Sequence, residues 1–296
     1  MNRKKIGYIL IGIIIVLLVF LLKTKQVEGF ENIELKLQSS AGSGFFSNFN
    51  KLMTYLVDNP TTTKITFDMR SHGPSTAFSY IKENEELFSK IFEDYDEGLE
   101  TTKTITGENY QSLRITGNGA YNFYNNNRNK LQPFHDAYNK YIRVKKHIQN
   151  KIDNKINELK NGGGADQIIG IFVRSNALAN EQPSKVMPTR EDYVNAIEQI
   201  PKSQNVKYFF CIDNEDELNY YSELYKPNYY TNIRRTKNTN DGEPHTKKMG
   251  TLEDLENSFI EVAIMAECDI LVHCVSNMVT ASLYMNMNQQ SICVSK

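Results

Sequence analysis

The sequence predicts an α/β protein in two halves behind an apolar amino-terminal segment, and three observations carry that prediction. After residue 164, apolar runs of strand length alternate with longer stretches of helical spacing, the pattern of parallel βαβ units with helices on both faces. Residues 33–57 read as a strand, a glycine loop and a helix. Between these regions Asn161-Gly162-Gly163-Gly164 breaks the helical pattern and marks the boundary. The expected divisions are 1–26, 27–160 and 161–296.

Composition frames the rest. A chain of 296 residues, 40% apolar and 11% aromatic, can bury the cores of two ordinary domains. A net charge of −1 gives no reason to expect a nucleic-acid partner, because phosphate-backbone binders carry a basic surplus. Cys211, Cys268, Cys274 and Cys293 lack metal-ligand spacing and sit in or beside apolar runs, so they read as buried thiols. A lumenal setting would allow a disulfide among them.

Residues 6–22, "IGYILIGIIIVLLVFLL", carry no charge and would span about 25 Å as a helix, near the thin end of a bilayer. Arg3, Lys4 and Lys5 precede them, against Lys23 and Lys25 after them, which favours a cytoplasmic amino terminus and a translocated body. The expectation is a single-pass type II anchor with its domain in an ER- or Golgi-like lumen or outside the cell. A cleaved signal peptide is the alternative, although no small-x-small site follows.

The first half opens with a strand at 33–37, then "AGSGFFSNFN" (41–50), then Phe49, Leu52, Met53, Leu56 and Val57 at helical spacing. Residues 62–69 read as the next strand, and 80–124 resist assignment. Residues 129–159 read as one or two long helices, with Leu131, Phe134, Tyr138, Tyr141, Ile142, Ile148, Ile152 and Ile156 tracing an apolar stripe. In the second half strands are expected at 168–173, 206–212, 270–275 and 291–294, and helices at 191–200, 215–224, 253–266 and 277–287.

Right-handed crossovers put every strand's carboxyl end on one edge of the sheet, where ligands of open α/β sheets bind. Three strands end there in polar residues: "IGIFVRSN" at Arg174, "YFFCIDN" at Asp213-Asn214, and "ILVHCVSN" at Ser276-Asn277. Ser276 or Asn277 would cap the following helix, whose free N–H groups suit an anion. Arg174 could grip a phosphate by two parallel hydrogen bonds, and Asp213 could accept from a ribose or a base. Singly, each has a bland reading as an ion pair, a turn or a cap; together they describe a nucleotide site. The glycine loop offers close backbone approach but is neither a Walker motif nor a GxGxxG fingerprint. In "FDMRSHG" (67–73), Asp68 and His72 are candidate general bases, against an ordinary polar loop.

At these residues the chain resembles the superfamily of alpha-1,6- and protein O-fucosyltransferases, which includes the bacterial nodulation enzyme. The likeness runs through "IGIFVRSN", "YFFCIDN" and "ECDILVHCVSNMVTASLYMN", in order and spacing from Gly170 to Val294, and "GSGFFSN" is similar to the family's sugar-nucleotide loop. The resemblance implies a GT-B arrangement, two Rossmann-like domains facing a cleft, with the nucleotide sugar held mainly by the second. It implies a metal-independent inverting transferase that uses GDP-fucose as donor substrate, no cofactor, and a glycan or glycoprotein hydroxyl as acceptor. Arg174 would meet the diphosphate and stabilise the leaving nucleotide. Asn176, Asp213, Ser276 and Asn277 would carry nucleotide contacts, Gly44, Phe46 and Asn48 would border the sugar, and His245 in "EPHTKKMG" lies where the nodulation enzyme has a similar loop. The chain departs from the family where Phe172 replaces the motif histidine and "SNAL" follows the arginine. Another nucleotide-sugar donor, or a membrane-tethered binder without chemistry, therefore stays open beside the transferase reading.

Overall fold

A computed structural model describes residues 31–38, 44–68, 87–107, 128–162, 164–174, 187–226, 229–231 and 252–294. The expected membrane segment at 6–22 lies outside them; no helix among the described residues is long and apolar enough to cross a membrane.

Strand β1 (Ile33–Gln38) turns Ile33, Leu35 and Leu37 inward and leaves Lys36 and Gln38 exposed, the period-two pattern of a strand. Helix α1 (Phe45–Asp58) buries Phe45, Phe49, Leu52, Met53 and Leu56 on one stripe. Strands β2 (Thr62–Asp68) and β3 (Lys103–Gly107) flank β1 in a three-stranded parallel sheet of order β2-β1-β3. Gly107 ends β3 where a Cβ would fall 1.7 Å from the Tyr55 hydroxyl, so only glycine lets the strand lie this close to α1. Sequence patterning missed β3 because it is an edge strand of polar and half-buried residues with almost no apolar signal.

A 3-10 turn at Arg128–Leu131 leads into α2 (Gln132–Tyr141), and α3 (Lys146–Asn157) follows. The expected long helical stretch is thus two helices. They part where Val144 bridges to Phe92, and a π turn at Glu158–Gly162 ends the second.

The second sheet is wholly parallel, in the order β6-β5-β4-β7-β8, from β4 (Gln167–Val173), β5 (Val206–Ile212), β6 (Tyr229–Thr231), β7 (Ile270–His273) and β8 (Gln290–Cys293). Its helices are α4 (Arg190–Glu198), α5 (Glu215–Leu224), α6 (Leu252–Glu267) and α7 (Asn277–Met285). Residues 168–173 of β4 are all buried, which is why this central strand reads as an unbroken apolar run. Strand β7 stops two residues short of the expected end, because the chain leaves the sheet at Cys274 to reach the cap of α7. The four cysteines are buried and free, as expected.

The two sheets lie on either side of the glycine run in sequence, yet their cores are continuous. Phe92 meets Phe259 edge-on at 5.1 Å, and Phe49 lies 6.5 Å from Tyr284. Helix α7, from the second half, packs on both α1 and α2 of the first.

Candidate active site at the strand ends

Parallel register sets the level of the site. Val173 pairs with Ile212, and Phe172 with His273. Arg174 and Asp213 are therefore both the first residue beyond the sheet, side by side, and the segment from Cys274 to Ser276 leaves β7 at the same rim. Arg174 and Asp213 are half-buried, and Ser276 is buried. Three of the expected site residues thus arrive at one edge by the geometry of neighbouring strands.

The thiol of Cys274 reports how closely they converge. Burial pushes it up; the Tyr193 side chain beside it, and the charge and backbone N–H of Arg174, pull it back, while Asp213 pushes it further up. Tyr193, from α4, is fully buried with its ring 6.1 Å from that of Tyr221. It reaches the Cys274 thiol, and no sequence motif marked it.

Strands β4, β5 and β7 each feed a helix whose N–H groups point back at this rim, and the side chains decide which of these ends can take an anion. At α5, Asn214 accepts from the N–H groups of Asp216 (2.9 Å) and Glu217 (3.1 Å), and the first turn carries Glu215, Asp216 and Glu217. Arg190 is forked onto Glu217, with Nε to Oε2 and Nη2 to Oε1 both at 3.0 Å. At α4, Thr189 and Asp192 form a closed capping box. At α7, Ser276 accepts from Met278 N–H at 3.3 Å, and no acid stands in the first turn. A phosphate would be repelled from α5 and welcomed at α7, beside Arg174.

The first half meets this helix end through a residue outside the expected set. Asn50, fully buried in α1, donates its amide N–H groups to the Asn277 carbonyl (3.1 Å) and Asn277 Oδ1 (3.4 Å), and accepts from the Tyr284 hydroxyl (3.0 Å). Asn50 lies five residues into α1, about 8 Å along the axis from its start. Gly44 is the N-cap there, without a capping side chain, and no acid occupies that first turn either. Asn48 is buried, with its amide 3.4 Å from the Gly44 carbonyl. Asp68 is the last residue of β2, paired with Gln38 on the carboxyl edge from which the chain runs on toward α1. The carboxyl edges of both sheets therefore come together around α1 and α7.

Phe46 is buried in the aromatic cluster, its ring 5.2 Å from that of Phe45 and 6.4 Å from that of Phe49. Phe172 is likewise buried in β4, an apolar side chain at the family's histidine position. Asn176, His245 and His72 lie outside the described residues. Among the described residues no cluster of His, Cys, Asp and Glu could hold a metal ion.

Beneath the rim, His273 is sealed in β7. Its Nδ1 lies 3.0 Å from the Cys274 carbonyl and must donate to it, so Nε2 accepts from the Ser291 hydroxyl at 2.7 Å. Burial first, and the charge of Arg128 after it, hold this ring down at about 4, against the raising effect of the Cys274 bond. It is a neutral structural residue.

No family model and no curated protein matches the chain. Solved structures do. A NodZ alpha-1,6-fucosyltransferase soaked with GDP-fucose superposes with a TM-score of 0.54 at 14% identity, covering 86% of this chain and 93% of that one. The fucosyltransferase NodZ from Bradyrhizobium gives 0.53 at 14% identity over the same shares. The shared feature is the fold, a mixed α/β chain with parallel sheets similar to the GT-B fold of those transferases.

Proposed function

We propose that this chain is an inverting, metal-independent glycosyltransferase that moves fucose from GDP-fucose to a hydroxyl of a glycan or glycoprotein. The observation that carries the proposal is the placement of Arg174 one step past β4, at the rim where α7 opens with a cap and no acid. As the bond between the sugar's C1 and the β-phosphate oxygen breaks, negative charge collects on the departing diphosphate. An arginine fork and helix N–H groups, fixed before the reaction, would stabilise that charge. The acceptor oxygen bonds to C1 from the opposite face, and its proton passes to a base. Asp68, at the first sheet's carboxyl edge, and His72 are the candidates. Asp213 would meet the ribose or the base, with Asn176 and His245 as further nucleotide contacts, and Gly44 and Asn48 would line the sugar's side. The GDP-fucose donor rests on the motif resemblance and on the fold likeness to a transferase soaked with that sugar nucleotide. Residues 6–22 would hold the domain on the far side of a membrane; resistance of the full chain to alkaline carbonate extraction tests that placement.

A second reading has Phe172 in its favour: with an apolar ring where the family carries histidine, the site would bind sugar nucleotide without reacting. A thermal shift of the protein with GDP, UDP and ADP separates the donors, because a ligand that binds only the folded state raises its melting temperature. GDP is expected to give the largest rise; no rise with any of the three would end the nucleotide-site reading. Label released from GDP-fucose then decides between transferase and silent binder.

A further inference from the structure

Helix α7 belongs to the second half, but its two ends are held by the first. At the amino end Asn50, with no exposed surface, spends its amide on Asn277 and its oxygen on the Tyr284 hydroxyl. At the carboxyl end the Arg128 guanidinium donates to three carbonyls: Leu283 at 3.2 Å, Asn286 at 2.8 Å, and Gln289. No carboxylate is among these partners. Burial draws the Arg128 pKa below its ordinary value. A half-buried cation whose hydrogen bonds go to carbonyls at a helix's end is matched to the negative pole of that helix. Beside Arg128 at the same carboxyl end, His135 of α2 reaches the Tyr284 carbonyl at 2.7 Å.

We infer that Asn50 and Arg128 are positioning residues that aim the amino end of α7 at the donor's diphosphate, so that the first half sets the donor affinity of the second. The inference rests on the proposed reading of α7 as the diphosphate site. Mere packing would not require both polar ends to be gripped. Apolar packing seats the helix, and directed hydrogen bonds at both ends add a preferred rotation and axial position to that seat. The Asn50 amide also ties the backbone carbonyl of Asn277, so a turn of α7 that moved its N–H groups would break that bond first.

The test uses the full-length protein and GDP as probe. N50A removes the grip; N50D keeps the shape but, ionised, sets a charge against the Asn277 carbonyl. Both are expected to weaken GDP about tenfold, the worth of one directed hydrogen bond. Lowering the pH from about 8 toward 5 should protonate the buried new carboxyl of N50D and return one donor. N50D should then regain affinity relative to wild type, while N50A should not. R128M should weaken GDP and speed hydrogen exchange in the first turn of α7, with β4 and β5 unchanged, and R128K should restore part of both. If R128M does not fold, the two Asn50 variants carry the test alone. Wild-type protein that binds GDP while N50A and N50D match its affinity at every pH would overturn the inference and leave the site standing. Wild type that binds no nucleotide would remove both.

Discussion

Helices α5 and α7 start from the same rim of the same sheet, one after β5 and one after β7, and have opposite characters. The first turn of α5 holds three acids and a cap that takes two N–H groups, and one of those acids is committed to Arg190. That of α7 holds no acid and a serine that takes one N–H. The backbone supplies both with the same dipole. Topology therefore provides several places where an anion could bind, and side chains close the starts of α4 and α5 while leaving that of α7 open. Arg174 lies between the two helix starts in strand order, and a phosphate beside it would meet like charge at α5 and none in the first turn of α7.

The largest effect expected from breaking that contrast comes from Arg174 itself. R174A keeps α7 and its cap but removes the charge that, under the proposed function, would meet the leaving diphosphate. Transfer from GDP-fucose should fall about a hundred- to a thousandfold, as when a preorganised electrostatic donor is removed. Steady-state rates with matched melting temperatures check it, and a variant within a few fold of wild type would refute the assignment.

The strands under the two helices sharpen the same contrast. Strand β5 ends in Ile212, while β7 ends in a buried histidine held at about 4. The folded-state value lies below the ordinary 6.5, so the unfolded chain takes up a proton first as pH falls. The stability linked to His273 is complete above about pH 6.5 and is lost progressively toward pH 4, on the order of 3 kcal/mol in all. Urea titrations at several pH values should show this slope. H273N keeps a donor for the Cys274 carbonyl and cannot titrate; it should be less stable at neutral pH but flatter across that window.

Much of this contrast was legible in the sequence. Strands β4 and β5 match the expected runs to within a residue because both are buried on two faces, with Lys207 of β5 the single charged residue in either. Helix α5 matches at both ends because Asn214 and the acids behind it are strong start signals. Arg174, Asp213, Ser276 and Asn277 were legible because strand ends in a parallel sheet must share an edge. Asn50 was not. A polar residue on an amphipathic helix reads as solvent-facing, and nothing local shows that a second helix, 227 residues away, lands on it. Arg128 was hidden likewise, in the asparagine-rich stretch "YNNNRNK", and its three carbonyl partners lie more than 150 residues further on. The burial of Phe46 was hidden too, because a motif match fixes a residue's place in the chain and says nothing about which way its ring turns.

Giving α7 the character of α5 should cost less than losing Arg174. N277D puts one acid in the first turn, where it would stabilise the free helix and oppose a bound phosphate. The melting temperature without ligand should hold or rise, while GDP binds about tenfold more weakly, close to the cost of one like-charge contact at a half-buried site. Calorimetry at two salt concentrations checks it, since the loss should shrink as salt rises. A fall in both stability and affinity would mean that the substitution had disturbed the Asn50 contact instead.

The reverse exchange is the smallest effect and the sharpest control. E215Q with D216N strips two acids from α5 without touching the Arg190 fork on Glu217. Both side chains lie at a solvated helix start, so the loss of favourable dipole interaction should cost only a few tenths of a kcal/mol each. Nucleotide affinity should stay within about twofold of wild type, because the Asn214 cap still occupies the N–H groups that a phosphate would need. A clear gain in GDP affinity would show that the acids alone had been keeping α5 out of the site. A loss would mean that these acids accept from the ribose or the base of the nucleotide. Calorimetric titration of the double variant beside N277D reads both outcomes from one pair of proteins.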